Sequence, residues 1–136
     1  MAWRLEELSG SKGVAAVRAV LDAREGAALN RRLEVKLARL LRESDLPPPV
    51  RQYEVVGGGF EAHLDFAWPA PKVALDGDGF RDHGKKSQFV RDRRRLAHLA
   101  SLGWLVVPVA WEDVLERPAD VLARLRGALA LRAAVA

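Results

Sequence analysis

The sequence predicts a single α/β domain with the element order α-α-β-β-β-α-β-α. Three observations carry that prediction. Two helical stretches open the chain, a Gly-rich hairpin and a third short strand follow, and a later helix–strand–helix run ends it. At 136 residues with 49% apolar content, the chain is one domain by length, with enough apolar side chain for a real core.

The first helix is expected over Ser11–Arg24, where Val14, Val17, Val20 and Leu21 recur at helical spacing. Asn30 is a candidate N-cap for a second helix to about Ser44, with the stripe Leu33, Leu37, Leu40 and Leu41. Pro47-Pro-Pro49 stops it. Gln52–Val56 reads as a strand, Gly57-Gly-Gly59 as a hairpin turn and Phe60–Ala67 as the returning strand. Lys72–Asp76 is the third strand. A basic loop leads to a helix over Ser87–Ser101, with Phe89, Leu96 and Leu99 inward and Gly103 closing it. Trp104–Ala110 is a buried strand, and its Pro108 points to a sheet edge or a strand end. Trp111–Glu116 forms a short helix, and Pro118 opens a last one to about Ala130.

The candidate chemistry lies in Phe60–Gly79. Asp65 closes one strand; Asp76 and Asp78 close the next and, two residues apart, point to one side of an extended chain. Carboxylates on apolar strands repel each other and resist burial unless compensated, and a divalent cation is the usual compensation. With no cysteine, thiolate sites and disulfides are excluded, which favours oxygen ligands and a hard cation such as Mg²⁺ or Mn²⁺.

Charge placement points to a polyanion. The 22 Lys+Arg against 18 Asp+Glu give only +4. From Arg81 to Arg95, however, seven basic residues face two acids. Such a stripe beside carboxylates suits a phosphate backbone, and Lys85, Lys86, Arg91, Arg93, Arg94 and Arg95 are its candidates. A solvated helix face is the competing explanation. No apolar run reaches the roughly 18 residues of a membrane span, and the N-terminus lacks a secretory apolar core, so a cytoplasmic protein is expected.

Two motif readings fail on the sequence. An EF-hand loop begun at Asp76 needs Gly and Glu where Arg81 and Ser87 stand. A phosphatase of the haloacid-dehalogenase type needs a longer chain after its Asp-x-Asp strand.

Taken in order, Leu33-Glu34, Leu64-Asp-Phe-Ala-Trp-Pro69, Val73-Ala-Leu-Asp-Gly-Asp-Gly79, His83, Phe89-Val-Arg-Asp-Arg-Arg-Arg95, Gly103-Trp104 and Trp111-Glu-Asp-Val114 resemble the small endonuclease domains related to very-short-patch repair (Vsr-like) endonucleases, within the PD-(D/E)XK nuclease superfamily. The resemblance covers about Leu33 to Leu125. It implies a restriction-endonuclease-like core, a four-stranded mixed sheet flanked by helices, that hydrolyses DNA phosphodiesters. It also implies an N-terminal helical extension over residues 1–30, the nuclease domain over 31–130 and a tail over 131–136.

By the same resemblance, Asp65 and Asp76 hold the metal, Asp78 binds metal or orients water, Glu34 supports the site and His83 lies near the scissile phosphate. Asp76 stands where these domains usually carry Glu. Asp78 stands where many such sites carry Lys. Arg81 and Asp82 stand where the repair enzymes carry aromatic wedges. The alternative function is a catalytically silent DNA-binding or interaction module of the same fold, since related domains often hang from antitoxin-like regions.

Overall fold

The computed structural model describes residues 12–78 and 86–135. Eight elements follow in order: α1 (Lys12–Arg42), β1 (Val50–Gly57), β2 (Phe60–Trp68), β3 (Val73–Asp78), α2 (Lys86–Ser101), β4 (Leu105–Ala110), α3 (Trp111–Glu116) and α4 (Pro118–Val135). The strands form one sheet in the order β1-β2-β3-β4. β1/β2 and β2/β3 are antiparallel, and β3/β4 are parallel with α2 as the crossover. The predicted mixed four-stranded sheet flanked by helices is therefore the architecture.

The two expected N-terminal helices are one. α1 runs unbroken for 31 residues, with Gly26 and Asn30 inside it. A lone helical Gly costs only about 1 kcal/mol relative to Ala, and Ala27, Ala28 and Leu29 are good helix formers. Asn30 is therefore an interior residue and not a cap. At the other end the Ser44 hydroxyl donates to the Leu41 carbonyl at 2.6 Å and accepts from Leu46 N–H at 3.2 Å, which closes the helix before the prolines.

The hairpin turn is tighter than expected. Gly57 pairs with Phe60, leaving Gly58 and Gly59 as a two-residue loop at φ +58° and +78°. Both positions need positive φ, the property of a type I′ turn that makes Gly-Gly suitable.

The sheet is covered on both faces. On one side Leu33, Leu37 and Leu41 of α1 and Val121 and Leu125 of α4 pack on Phe66, Trp68, Val73, Leu75 and Val109. On the other, Leu99 of α2 and Trp104 pack on Val55, Ala62, Leu64, Ala67 and Ala74. α2 buries less than its sequence suggested. Leu99 is fully buried, but Phe89 and Leu96 are exposed. Phe89 instead lies under the Arg93 guanidinium, 5.0 Å from its ring centre. Pro108 sits on the edge strand β4, where its missing N–H costs nothing.

Candidate active site

The acids sit where two strands part. β2 and β3 pair at Trp68↔Val73, Ala67↔Ala74 and Phe66↔Leu75, and their ladder stops there. The next position in this register would set Asp65 against Asp76. β3 nevertheless continues beside β4 through Asp78, pairing Gly77 with Val109 and Asp78 with Ala110. Asp76-Gly77-Asp78 is thus strand and not turn. Like charges directly opposite destabilise a ladder, so the acids both mark and favour the divergence.

The pleat also reverses at Asp65. Ala62 and Leu64 belong to the apolar cluster under α2, whereas Phe66 and Trp68 belong to the cluster under α1 and α4. Regular alternation would put all four on one face. Opposite Asp65, between the pairs Arg51↔Phe66 and Tyr53↔Leu64, Gln52 adopts φ +51°. That left-handed residue marks the point at which the hairpin switches faces.

α1 brings the third acid. Leu33 rests on Gly77, where a Cβ would lie 3.2 Å from Leu33 Cδ2 and 3.7 Å from Asp65 Oδ2. Glycine at 77 therefore lets the helix come close. The next residue, Glu34, reaches the acid edge. Asn30, Leu33, Glu34, Asp65 and Gly77 line a recess of about 140 Å³. Glu34 Oε2 accepts from Gln52 Nε2 at 3.3 Å and lies 3.6 Å from Arg51 Nη2.

The electrostatics separate the carboxylates. Burial pushes the Asp65 carboxyl up to about 6, and the charges of Asp76 and Glu34 push the same way; a backbone hydrogen bond from Gly77 and the Arg95 charge only partly offset them. Among the described residues Asp65 makes no salt bridge. Asp76 differs. Arg95 of α2 donates to its Oδ2 at 3.1 Å and to the His63 carbonyl at 2.9 Å, so this guanidinium is tied to the acid edge.

Of the residues singled out from the sequence, Asp65, Asp76, Glu34 and Arg95 come together. Lys86, Arg91 and Arg94 are exposed on α2. His83 and Lys85 lie outside the described residues, as does the side chain of Asp78. The three gathered acids do not close to metal-ligand spacing. Among the described residues, the group of three whose ligand atoms lie within 4.8 Å of one another is Glu54, Glu61 and His63, exposed on the hairpin. There the Glu54 carboxyl holds Glu61 above its ordinary range. Sequence reasoning missed this group. Its signal is the hairpin register, which sets Glu54 opposite His63.

No family model matches the chain. Two Mycobacterium tuberculosis sequences, described as uncharacterized proteins MT2308 and Rv2248, are each 32% identical to it over 120 residues, or 88% of this chain. The chain spans 44% of their length. Among solved structures, the catalytic domain of the homing endonuclease I-Bth0305I is similar, with a TM-score of 0.55 and 21% identity. That match covers 74% of this chain and 95% of the endonuclease domain. The likeness is one of fold: the mixed sheet and flanking helices described above are shared with a nuclease catalytic domain.

Proposed function

We propose that this domain is a metal-dependent DNA endonuclease or nickase of the Vsr-like kind, hydrolysing phosphodiester bonds at the parting of β2 and β3. One observation carries the reading: Asp65 and Asp76 stand at adjacent strand ends with Glu34 delivered to them by α1. The donor set fits Mg²⁺ or Mn²⁺. It is all oxygen, and a bound cation would offset the burial and the neighbouring carboxylates that raise Asp65. Asp65 and Asp76 would hold the ion, with Asp78 beside them on the strand. Such an ion, when bound, neutralises phosphate charge and lowers the pKa of water.

The chain's own residues do the rest. Glu34, braced by Gln52 and Arg51, keeps negative charge at the edge and orients a donor there. Arg95 is placed to contact the phosphate as well as Asp76. His83 serves as proton donor or phosphate contact. Lys85, Lys86, Arg91 and Arg94 bind the flanking backbone. Residues 31–130 carry the activity in this scheme and 1–30 extend it, although α1 passes through residue 30 without a break. Among the described residues no helix is long and apolar enough to cross a membrane. A cytoplasmic location, with access to DNA, belongs to the same reading.

A second reading has its own observation. Arg95 already supplies a cation to Asp76, as expected of a silent module that binds DNA without cutting it. Conversion of supercoiled plasmid to nicked or linear form, with Mg²⁺ or Mn²⁺, separates the two. Cleavage lost in Asp76→Ala supports the enzyme; no cleavage by the wild type with either ion assigns the silent module.

A further inference from the structure

α1 carries a second basic stripe that the charge pattern around α2 overshadows. Between Arg24 and Arg42 the helix holds six cations, Arg24, Arg31, Arg32, Lys36, Arg39 and Arg42, against Glu25 and Glu34. All six are exposed. Leu33, Leu37 and Leu41 face the sheet, and at 100° per residue Arg24, Arg32, Arg39 and Arg42 lie on the far side of the helix, with Arg31 and Lys36 flanking them. A groove of about 490 Å³ runs among Arg31, Arg32, Lys36 and Arg39, floored by Ala28 and Val35. Arg39 pairs with Glu43 on the open surface. Among the described residues, Arg24, Arg31, Arg32, Lys36 and Arg42 have no acidic partner. Arg32 and Lys36 are spaced i,i+4 and so repel each other within the helix. An external polyanion relieves that repulsion.

The run of the helix says where the polyanion lies. Leu33 rests on Gly77, near the acid end of β3. Past the other end of α1, the Pro47 carbonyl accepts from Trp68 Nε1, and Trp68 pairs with Val73 at the start of β3. α1 is therefore antiparallel to β3, and the part of it before residue 30 projects beyond the acids by about 27 Å. Arg24 sits on that overhang, and Arg31 and Arg32 are level with the acid edge.

The geometry points to α1 as a second phosphate-binding surface, on which Arg24, Arg31, Arg32 and Lys36 hold the backbone of duplex DNA flanking the acids. The inference rests on the reading of the domain as DNA-handling. DNA is gripped from both faces of the sheet, by α1 on one side and α2 on the other. Of the two acids within the run, Glu34 is turned to Arg51 at the acid edge, and six cations against two acids suit a uniformly charged backbone better than an acidic protein helix.

The test is binding of the 136-residue chain to a labelled duplex by fluorescence anisotropy over a salt series, in EDTA so that nothing is cut. In the variant Arg24→Gln/Arg31→Gln/Arg32→Gln/Lys36→Gln, log K against log salt should flatten by about 3.6, each lost phosphate contact removing about 0.9. Gln keeps helix propensity, and circular dichroism checks the fold. If the variant does not fold, Arg24→Gln and Arg31→Gln are tested singly, each flattening the slope by about 1. An unchanged slope in folded variants overturns the proposal. So does a variant whose slope is unchanged but whose oligomeric state shifts in size-exclusion chromatography, which would assign the stripe to a protein contact. Absence of plasmid cleavage with a stripe-dependent slope retained would sink the nuclease reading and leave this surface standing. Absence of wild-type DNA binding would remove both.

Discussion

Arg95 Nη1 lies 3.1 Å from Asp76 Oδ2, with side chains only 23% and 13% exposed. A helix on one face of the sheet thus reaches an acid at the end of a strand. The pair holds α2 against β3 and lowers the negative charge at the edge. Replacing Arg95 with Ala should cost about 2 kcal/mol, because it takes a charge-assisted hydrogen bond from a mostly buried carboxylate. Urea denaturation of the metal-free protein measures this. In the same variant divalent metal should recover part of the loss. A variant as stable as wild type would show that the Arg95 contact adds nothing to the fold.

Asp65 gives a pH dependence of definite sign. Its folded-state carboxyl is raised to about 6 from an ordinary value of 3.8. Between those values the folded chain binds more protons than the unfolded one. Its contribution therefore lowers stability as pH rises through this window, and the penalty is complete above it. Asp65→Asn should stabilise the metal-free protein at pH 7 by on the order of 1 kcal/mol, after allowance for solvent screening. The difference should shrink toward pH 4. Chemical denaturation of both proteins in EDTA across this range tests it, and a constant difference would refute the assignment. Added Mg²⁺ should stabilise the wild type more than Asp65→Asn.

Gly77 permits the approach of α1. A methyl group there meets Leu33 Cδ2 at 3.2 Å. Gly77→Ala should cost roughly 1 kcal/mol, since the Leu33 side chain must shift in a packed core. The shift also displaces Glu34, one residue on. Metal affinity, read by calorimetric titration, should fall with stability. Loss of stability alone would separate Glu34 from the metal site.

Asp76 departs from the acid usual in the resembling domains, and Arg95 donates to its Oδ2. Asp76→Ala should abolish cleavage while leaving DNA binding intact or slightly tighter, because a charge repelling phosphate is lost. Asp76→Glu should keep or raise cleavage. The longer side chain reaches about 1.5 Å further, the scale on which catalytic geometry is felt. Plasmid nicking with Mg²⁺ and Mn²⁺ compares the three proteins, and loss of activity in Asp76→Glu would mean that the Arg95 contact sets the acid's position.

Much of this was legible in the chain before any coordinates. The strands, their order and the placing of Glu34 follow from period-2 and period-3.6 patterns, since Leu33, Leu37 and Leu41 fix which side of α1 meets the sheet. The break expected between Arg24 and Asn30 is absent, because one glycine among good helix formers does not end a helix. Reading Gly57–Gly59 as a three-residue turn shifts the hairpin register by one. That shift hides the pairing of Glu54 with His63 and the neighbouring Glu61. The inward turn of Arg95 was equally hidden, because its partner Asp76 lies 19 residues away on another element.

The turn of Arg95 toward Asp76 changes the expected arithmetic of DNA binding on α2. Arg95 is held at the acid edge, and Arg93 lies over Phe89. That leaves Lys86, Arg91 and Arg94 as the exposed cations of the helix without such commitments. Arg91→Ala/Arg94→Ala should then flatten the salt dependence of duplex binding by roughly 2. Sequence preference should not change, because phosphate contacts position the protein and do not read bases. Combined with the α1 variant, the two losses should add, since the helices lie on opposite faces of the sheet and share no partner. A slope unchanged by the α2 substitutions, but reduced by those on α1, would place the duplex on the α1 side alone and leave the α2 stripe as a solvated helix face.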